Sequence, residues 1–89
     1  MPSPDTHAAI EWPTLMTICR IAAEYFSYEP ALVDGTTRVD ELEKDEVAVI
    51  GFFSEVERAL ICDIPDLDIG TTLTLAQLAT LAEKYRVKR

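Results

Sequence analysis

Residues 39 to 60 of the chain read VDELEKDEVAVIGFFSEVERAL, an acidic run followed by a segment with helical periodicity. Asp45 suits the N-cap of this helix, and Glu46 in its first turn suits the positive end of the helix dipole. Val47 and Ile50 fall on a different side from the main apolar face, so they are candidates for an exposed patch. The main face is predicted to be core, including its two phenylalanines, and consists of Val49, Phe52, Phe53, Val56, Ala59 and Leu60.

A long connection precedes this helix and covers about residues 29–44. The pair Asp34-Gly35 within it favours a turn. Val39 and Leu42 interrupt the acidic run and are expected to pack back against the core. A connection of this length in a small domain is unusual without a structural or functional role, so the run is either a docking patch or a solvated loop.

The first helix is predicted to begin at Trp12 and Pro13, because proline is tolerated in a first turn. Trp12 is interpreted as a staple that closes the start of this helix, with an exposed anchor as the alternative. The helix has to end before Pro30, since the residue before a proline is disfavoured in a helix. Residues 1–11 show no apolar period and are predicted to be a flexible leader. The apolar stripe of the helix comprises Leu15, Ile18, Ile21 or Ala22, Tyr25 and Phe26.

The chain breaks again at Ile64-Pro65, and residues 66–69 are predicted to form a short third helix ended by Gly70. Thr74 and Gln77 have the spacing of a capping box for the last helix. The domain is therefore predicted to span residues 12–86, with residues 87–89 as a basic tail.

Composition restricts the classes of function. The 89 residues carry a formal net charge of -8, which opposes binding to nucleic acid or to anionic membrane surfaces. No stretch has the length of a membrane span, and no signal peptide is recognisable, so we expect a cytoplasmic protein. The cysteines Cys19 and Cys62 are expected to be reduced thiols there, although a disulfide is not excluded by sequence.

Catalytic and metal-binding motifs are missing from the sequence. His7 is the only histidine, and no Cys-x-x-Cys pair, phosphate-cradling glycine loop or nucleophile–base–acid set is present. We therefore expect neither an enzyme nor a metal site.

Several pieces of the sequence follow one another in a characteristic order. They are the run from Val39 to Val47, then Ile64-Pro65-Asp66, then Leu73-Thr74-Leu75. Together they resemble the acyl carrier protein family, without a gap from Thr36 to the last helix. The resemblance implies an all-α fold: a four-helix bundle with a long loop between helices 1 and 2 and a short third helix.

One departure from the family changes the expected chemistry. In the family, a serine in an Asp-Ser-Leu signature at the start of the second helix carries phosphopantetheine. Glu46 stands at that position, and a carboxylate cannot accept the phosphodiester, so no cofactor is expected. Ser54 is the nearest serine, but it lies two turns into the helix. Glu46 is either a fixed charge in place of the prosthetic phosphate or simply a favourable residue for a helix start.

The resemblance also implies a partner surface along the second helix, which family partners read with basic patches. The acidic stripe is thinned here, because Ala48 and Gly51 stand where more acid would be expected. We thus expect a non-catalytic module that binds a protein with a basic or apolar patch, with a link to fatty-acid or polyketide biosynthesis. The alternatives are a carrier modified at another hydroxyl and a structural subunit of a larger complex. The expected partner-binding residues are Asp45, Glu46, Val47, Ile50 and Glu57.

Overall fold

The chain is mostly helical. The computed structural model describes residues 6–65 and 68–86, with side chains described from Pro13 onward. Within these ranges no extended strand forms, which agrees with the predicted all-α class. The helices are α1 (Thr6–Tyr25), α2 (Val39–Leu42), α3 (Glu46–Leu60) and α4 (Leu75–Lys84), with a 3-10 turn at Pro30–Leu32.

Helix α1 begins earlier than the sequence predicts. It starts at Thr6, and Pro13 lies inside it. Proline in a helix interior removes one backbone hydrogen bond, which is why the prediction placed Pro13 in the first turn. Ala8 and Ala9 precede it and favour helix strongly, so the helix extends through the proline. The predictions for residues 1–5 of the leader and for the side chain of Trp12 lie outside the described part.

The long connection between α1 and α3 is partly ordered into helix. The short helix α2 occupies Val39–Leu42, where only a loop was expected. Val39 and Leu42 are buried, as predicted, and Val33 joins them in the core. Tyr28 stabilises the connection by a hydrogen bond, because its hydroxyl donates to the Leu42 carbonyl at 3.3 Å.

Backbone hydrogen bonds join the starts of α2 and α4. The Val39 N–H donates to the Leu73 carbonyl at 2.9 Å, and the Leu75 N–H donates to the Thr37 carbonyl at 2.9 Å. The predicted capping box of α4 is confirmed: the Gln77 N–H donates to Thr74 Oγ1 at 3.1 Å, and the Thr74 N–H donates to Gln77 Oε1 at 2.9 Å. The two helix starts therefore hold each other in place.

The predicted short third helix falls partly outside the described residues, at 66–67. Next to that gap, the Asp68 N–H donates to the Pro65 carbonyl at 2.9 Å, which is a turn. The Tyr85 hydroxyl donates to Asp68 Oδ2 at 2.7 Å and fixes this turn to the end of α4. The predicted basic tail, residues 87–89, also lies outside the described part.

The core lies where α1 packs against α3 and α4. Phe52 on α3 is fully buried, and its ring centroid lies 5.2 Å from that of Phe26. Thr14 on α1 is a buried polar residue whose hydroxyl donates to Glu83 on α4. The largest fully buried side chains are Phe52, Ile18, Leu75, Leu78, Val39 and Val56.

Candidate functional site

The start of α3 is built by two carboxylates. Asp45 has extended backbone angles, and its Oδ1 accepts a hydrogen bond from the Val47 N–H at 3.0 Å. One oxygen of Glu43 accepts from the Asp45 N–H at 3.0 Å. The prediction that Asp45 is the N-cap is therefore confirmed. The two side chains together accept hydrogen bonds from two backbone N–H groups at the start of the helix.

Glu46 is the first residue of α3, and it is exposed. The positive end of the helix dipole favours a negative charge at this position. The helix start alone is therefore enough to explain a glutamate here. The structure places an accessible carboxylate in the first turn of α3.

Two exposed apolar residues stand beside this acidic start. Val47 is 77% exposed and Ile50 is 63% exposed. Val49 lies two positions after Val47 and Phe52 two positions after Ile50, and both are buried. The prediction that Val47 and Ile50 lie away from the core face is confirmed. The prediction for Ala59 is wrong: it is exposed, in an open groove that it lines together with Arg20, Glu24 and Glu55.

The predicted core role of the paired phenylalanines is confirmed as well. Phe52 has no exposed surface and Phe53 is buried, with their ring centroids 5.6 Å apart. Tyr25 reaches the same cluster from α1. Its ring also lies over Gly51, where an added Cβ would overlap the tyrosine hydroxyl and stand 3.2 Å from Cζ. Sequence reasoning treated Gly51 as a lost acidic position and missed this contact.

Glu57 has a different setting from the other predicted partner-binding residues. It is half-buried, and its Oε2 accepts a hydrogen bond from the Ile64 N–H at 2.9 Å. This bond holds the chain where it turns away from α3. Glu57 also lines a groove of about 340 Å³ together with Ile50, Phe53, Ser54 and Ile69. Its carboxylate therefore has a structural role at the edge of the candidate site.

Much of the acidic run before α3 is used for local structure. Arg38 binds Asp40 with two hydrogen bonds, at 3.0 Å from Nε and 2.6 Å from Nη2. The Arg38 N–H also donates to Glu41 Oε1 at 3.1 Å. The Arg38 hydrogen bonds lower the pKa of Asp40 below its ordinary value. Sequence reasoning missed this pair, although a basic residue two positions before an acid could have suggested it.

Asp34 is a second carboxylate in the connection with a local role. Its Oδ1 accepts hydrogen bonds from the Thr36 hydroxyl at 2.7 Å and from the Thr36 N–H at 2.8 Å. These bonds lower the pKa of Asp34. The predicted turn at Asp34-Gly35 is thus held by the aspartate side chain.

The two cysteines do not form a disulfide. Cys19 is half-buried and Cys62 is buried, and both are free thiols. Burial raises the pKa of each thiol, which keeps both in the less reactive protonated form. Ser54 is exposed on α3, two turns beyond Glu46.

No three His, Cys, Asp or Glu side chains among the described residues come together as a metal-binding group. None of the helices described combines the length and the apolar character that crossing a membrane requires. Comparison with known proteins finds no matching family model, no significantly similar curated protein and no significantly similar solved structure.

Proposed function

We propose that this chain is a non-catalytic module of the acyl-carrier-protein type that acts by binding another protein through the start of α3. The observation that carries the proposal is the pair Val47 and Ile50, both mostly exposed and next to the acidic residues Asp45 and Glu46. Large apolar side chains exposed side by side typically mark an interaction surface.

The order of elements supports the proposed relationship to the carrier fold. A long first helix, a long connection, the helix α3, a turn near Ile64-Pro65 and a final helix follow one another as the family resemblance implies. The short helix expected at residues 66–69 falls partly on residues 66–67, which lie outside the described part.

The proposed module does not carry phosphopantetheine. Attachment needs a hydroxyl oxygen that attacks the phosphate of coenzyme A, and the Glu46 side chain offers a carboxylate instead. The exposed hydroxyl of Ser54 stands in mid-helix, away from the helix start that a transferase would recognise under this proposal.

The surface indicates the chemistry of the partner. Exposed carboxylates at the start of α3 favour Lys and Arg opposite them, and the exposed valine and isoleucine favour apolar side chains. With a net charge of -8, the whole chain adds attraction toward a basic surface. We place such a partner among cytoplasmic proteins linked to fatty-acid or polyketide biosynthesis.

The proposal is tested by charge reversal at the candidate site with a matched control. The tagged chain retains proteins from a lysate of the source organism, and each retained protein is quantified by mass spectrometry for three variants. Glu46→Lys and Glu24→Lys make the same change in net charge, but Glu24 lies on α1 and pairs with Arg20 at 3.8 Å. Asp45→Ser removes a charge while keeping a side chain that caps helices well.

We expect Glu46→Lys to reduce retention of a specific partner roughly tenfold at low salt, because both steering and contact are lost. Asp45→Ser should reduce it less, and Glu24→Lys should leave it near the wild-type level. Equal retention by all variants, or equal loss with Glu24→Lys, would show that the start of α3 is not the binding surface.

A further inference from the structure

A second groove lies on a different part of the surface, between α1 and the connection. It has a volume of about 310 Å³, and it is lined by Leu15 and Met16 on one wall and by Pro30 and Val33 on the other. The 3-10 turn that builds the second wall packs directly against α1. The described residues that line this groove all belong to α1 or the connection, so it is separate from the candidate site on α3.

Two aliphatic side chains are left in contact with water at this groove. Met16, on the α1 wall, is 56% exposed, and Leu32, between Pro30 and Val33 in the chain, is 69% exposed. Leu32 is the last residue of the 3-10 turn, so the backbone that builds the wall also fixes its place. Large apolar side chains exposed next to an apolar groove typically mark a surface that another molecule covers.

The groove carries one charge of each sign, on opposite walls. Arg20 lies on the α1 wall and Asp34 on the connection wall, and both are exposed. The described hydrogen bonds of Asp34 all use Oδ1, so Oδ2 can accept a bond from outside. Arg20 Nη1 lies 3.8 Å from Glu24 Oε1, which is too long for a hydrogen bond. The guanidinium N–H groups can therefore still donate to a second carboxylate.

This arrangement is complementary to itself. A two-fold axis along the groove brings the α1 wall of one copy against the connection wall of the other. Arg20 then faces Asp34 twice, and Met16 faces Leu32 twice. A uniformly basic partner would instead meet Arg20, and a uniformly acidic one would meet Asp34. The charges therefore favour a second copy of this chain as the occupant of the groove.

The overall charge of the chain opposes such pairing only at low salt. Each copy carries a net charge of -8, which repels a second copy at long range. At about 0.15 M salt the Debye length is about 8 Å, so carboxylates far from the contact are largely screened. The contact itself then decides the affinity, through its paired charges and its covered aliphatic side chains.

We propose that two copies of this chain pair through the α1–connection face, which we define as Met16, Arg20, Leu32 and Asp34. Leu32 of each copy packs against Met16 of the other, and Arg20 of each copy binds Asp34 of the other. The face is small, so the dimer is a transient one. This inference does not rest on the proposed function, because it uses no residue of α3.

Sedimentation equilibrium of the full chain at about 0.15 M salt, over roughly 1 μM to 1 mM, gives the dimer dissociation constant. Leu32→Asn should raise this constant by about tenfold or more, because the lost contact counts twice in a symmetrical pair. Ile61→Asn is the matched control. Ile61 is 52% exposed and forms the left-handed C-cap of α3, where asparagine is well tolerated. This control should leave the dissociation constant unchanged.

A charge exchange tests how the two copies are oriented. Arg20→Glu alone and Asp34→Lys alone each place like charges opposite one another, so each should weaken pairing by about tenfold or more. An equimolar mixture should restore association to near the wild-type level, because each contact then joins a cation of one variant to a carboxylate of the other. Asp34→Lys loses the hydrogen bonds from Thr36, so circular dichroism checks its fold. If it does not fold, the comparison of Leu32→Asn with Ile61→Asn still decides the inference.

Three results would overturn the inference. A chain that stays monomeric up to about 1 mM would leave the groove to a different occupant, either a small apolar ligand or another protein. Pairing that is unaffected by Leu32→Asn, or weakened equally by Ile61→Asn, would place the contact outside the α1–connection face. A mixture of folded charge variants that associates no better than its components would exclude the contact between Arg20 and Asp34.

Discussion

Both sides of α3 carry apolar side chains, but the two sides differ in what lies opposite them. On one side, Phe52 and Val56 are fully buried where α1 packs against the helix. On the other side, Val47 and Ile50 are mostly exposed, and the described part of the chain supplies no comparable layer over them. Residue type alone does not separate core from surface here. The packing partner does, and the exposed side is where we place a partner from another protein.

The largest expected effect is a loss of stability when a side chain on the buried side of α3 is truncated. Phe52→Ala should lower the free energy of unfolding by about 3–5 kcal/mol, because it leaves a cavity among Phe26, Phe53 and the ring of Tyr25. Val47→Ala, which removes apolar atoms from the exposed side, should change it by less than about 0.5 kcal/mol. Urea denaturation followed by circular dichroism measures both. Similar losses in the two variants would contradict the assignment of the faces.

A smaller effect on stability is expected at Gly51, which lies between the buried and the exposed side of α3. Alanine normally stabilises a helix interior by about 1 kcal/mol relative to glycine. At Gly51 the added Cβ would displace Tyr25, so Gly51→Ala should bring no gain in the wild-type chain. The gain should return when Tyr25→Ala removes the ring. A double-mutant cycle by denaturation should give a coupling of about 1 kcal/mol. A coupling near zero would mean that the ring does not restrict this position.

The smallest expected effect is on the pH dependence of stability, and it comes from Asp40 in the connection that leads into α3. The folded-state pKa of Asp40 lies below its ordinary value because of the Arg38 hydrogen bonds. Its contribution to stability is therefore present above the unfolded pKa of about 4 and is lost as the pH falls through the folded pKa. Melting temperature measured from neutral pH downward should fall less steeply in Asp40→Asn than in the wild type. Parallel curves would show that the Arg38–Asp40 pair does not couple to folding.

The sequence predicts features that depend on neighbouring residues. Helix α3 begins after its predicted N-cap Asp45 and ends at Leu60, since cap chemistry and periodicity both act within a few residues. The capping box of Thr74 and Gln77 forms for the same reason. The exposure of Val47 and Ile50 also follows from their place in the helical repeat.

Features that depend on distant segments could not be predicted in this way. Helix α2 has only four residues and is held by the bond from Val39 to Leu73, which lies far along the chain. The ring of Tyr25 over Gly51 joins two helices. The bond from Glu57 to Ile64 depends on the path that the chain takes after its left-handed turn. None of these contacts leaves a local sequence signal of its own.

We propose that Glu46 occupies the attachment position of a carrier fold and ends the carrier role. The most direct test is intact mass after incubation with a broad-specificity phosphopantetheinyl transferase and coenzyme A, for the wild type and for Glu46→Ser. We predict no mass gain for the wild type and a gain of one phosphopantetheine for Glu46→Ser. A phosphopantetheine on the wild-type chain, or none on Glu46→Ser, would contradict the claim.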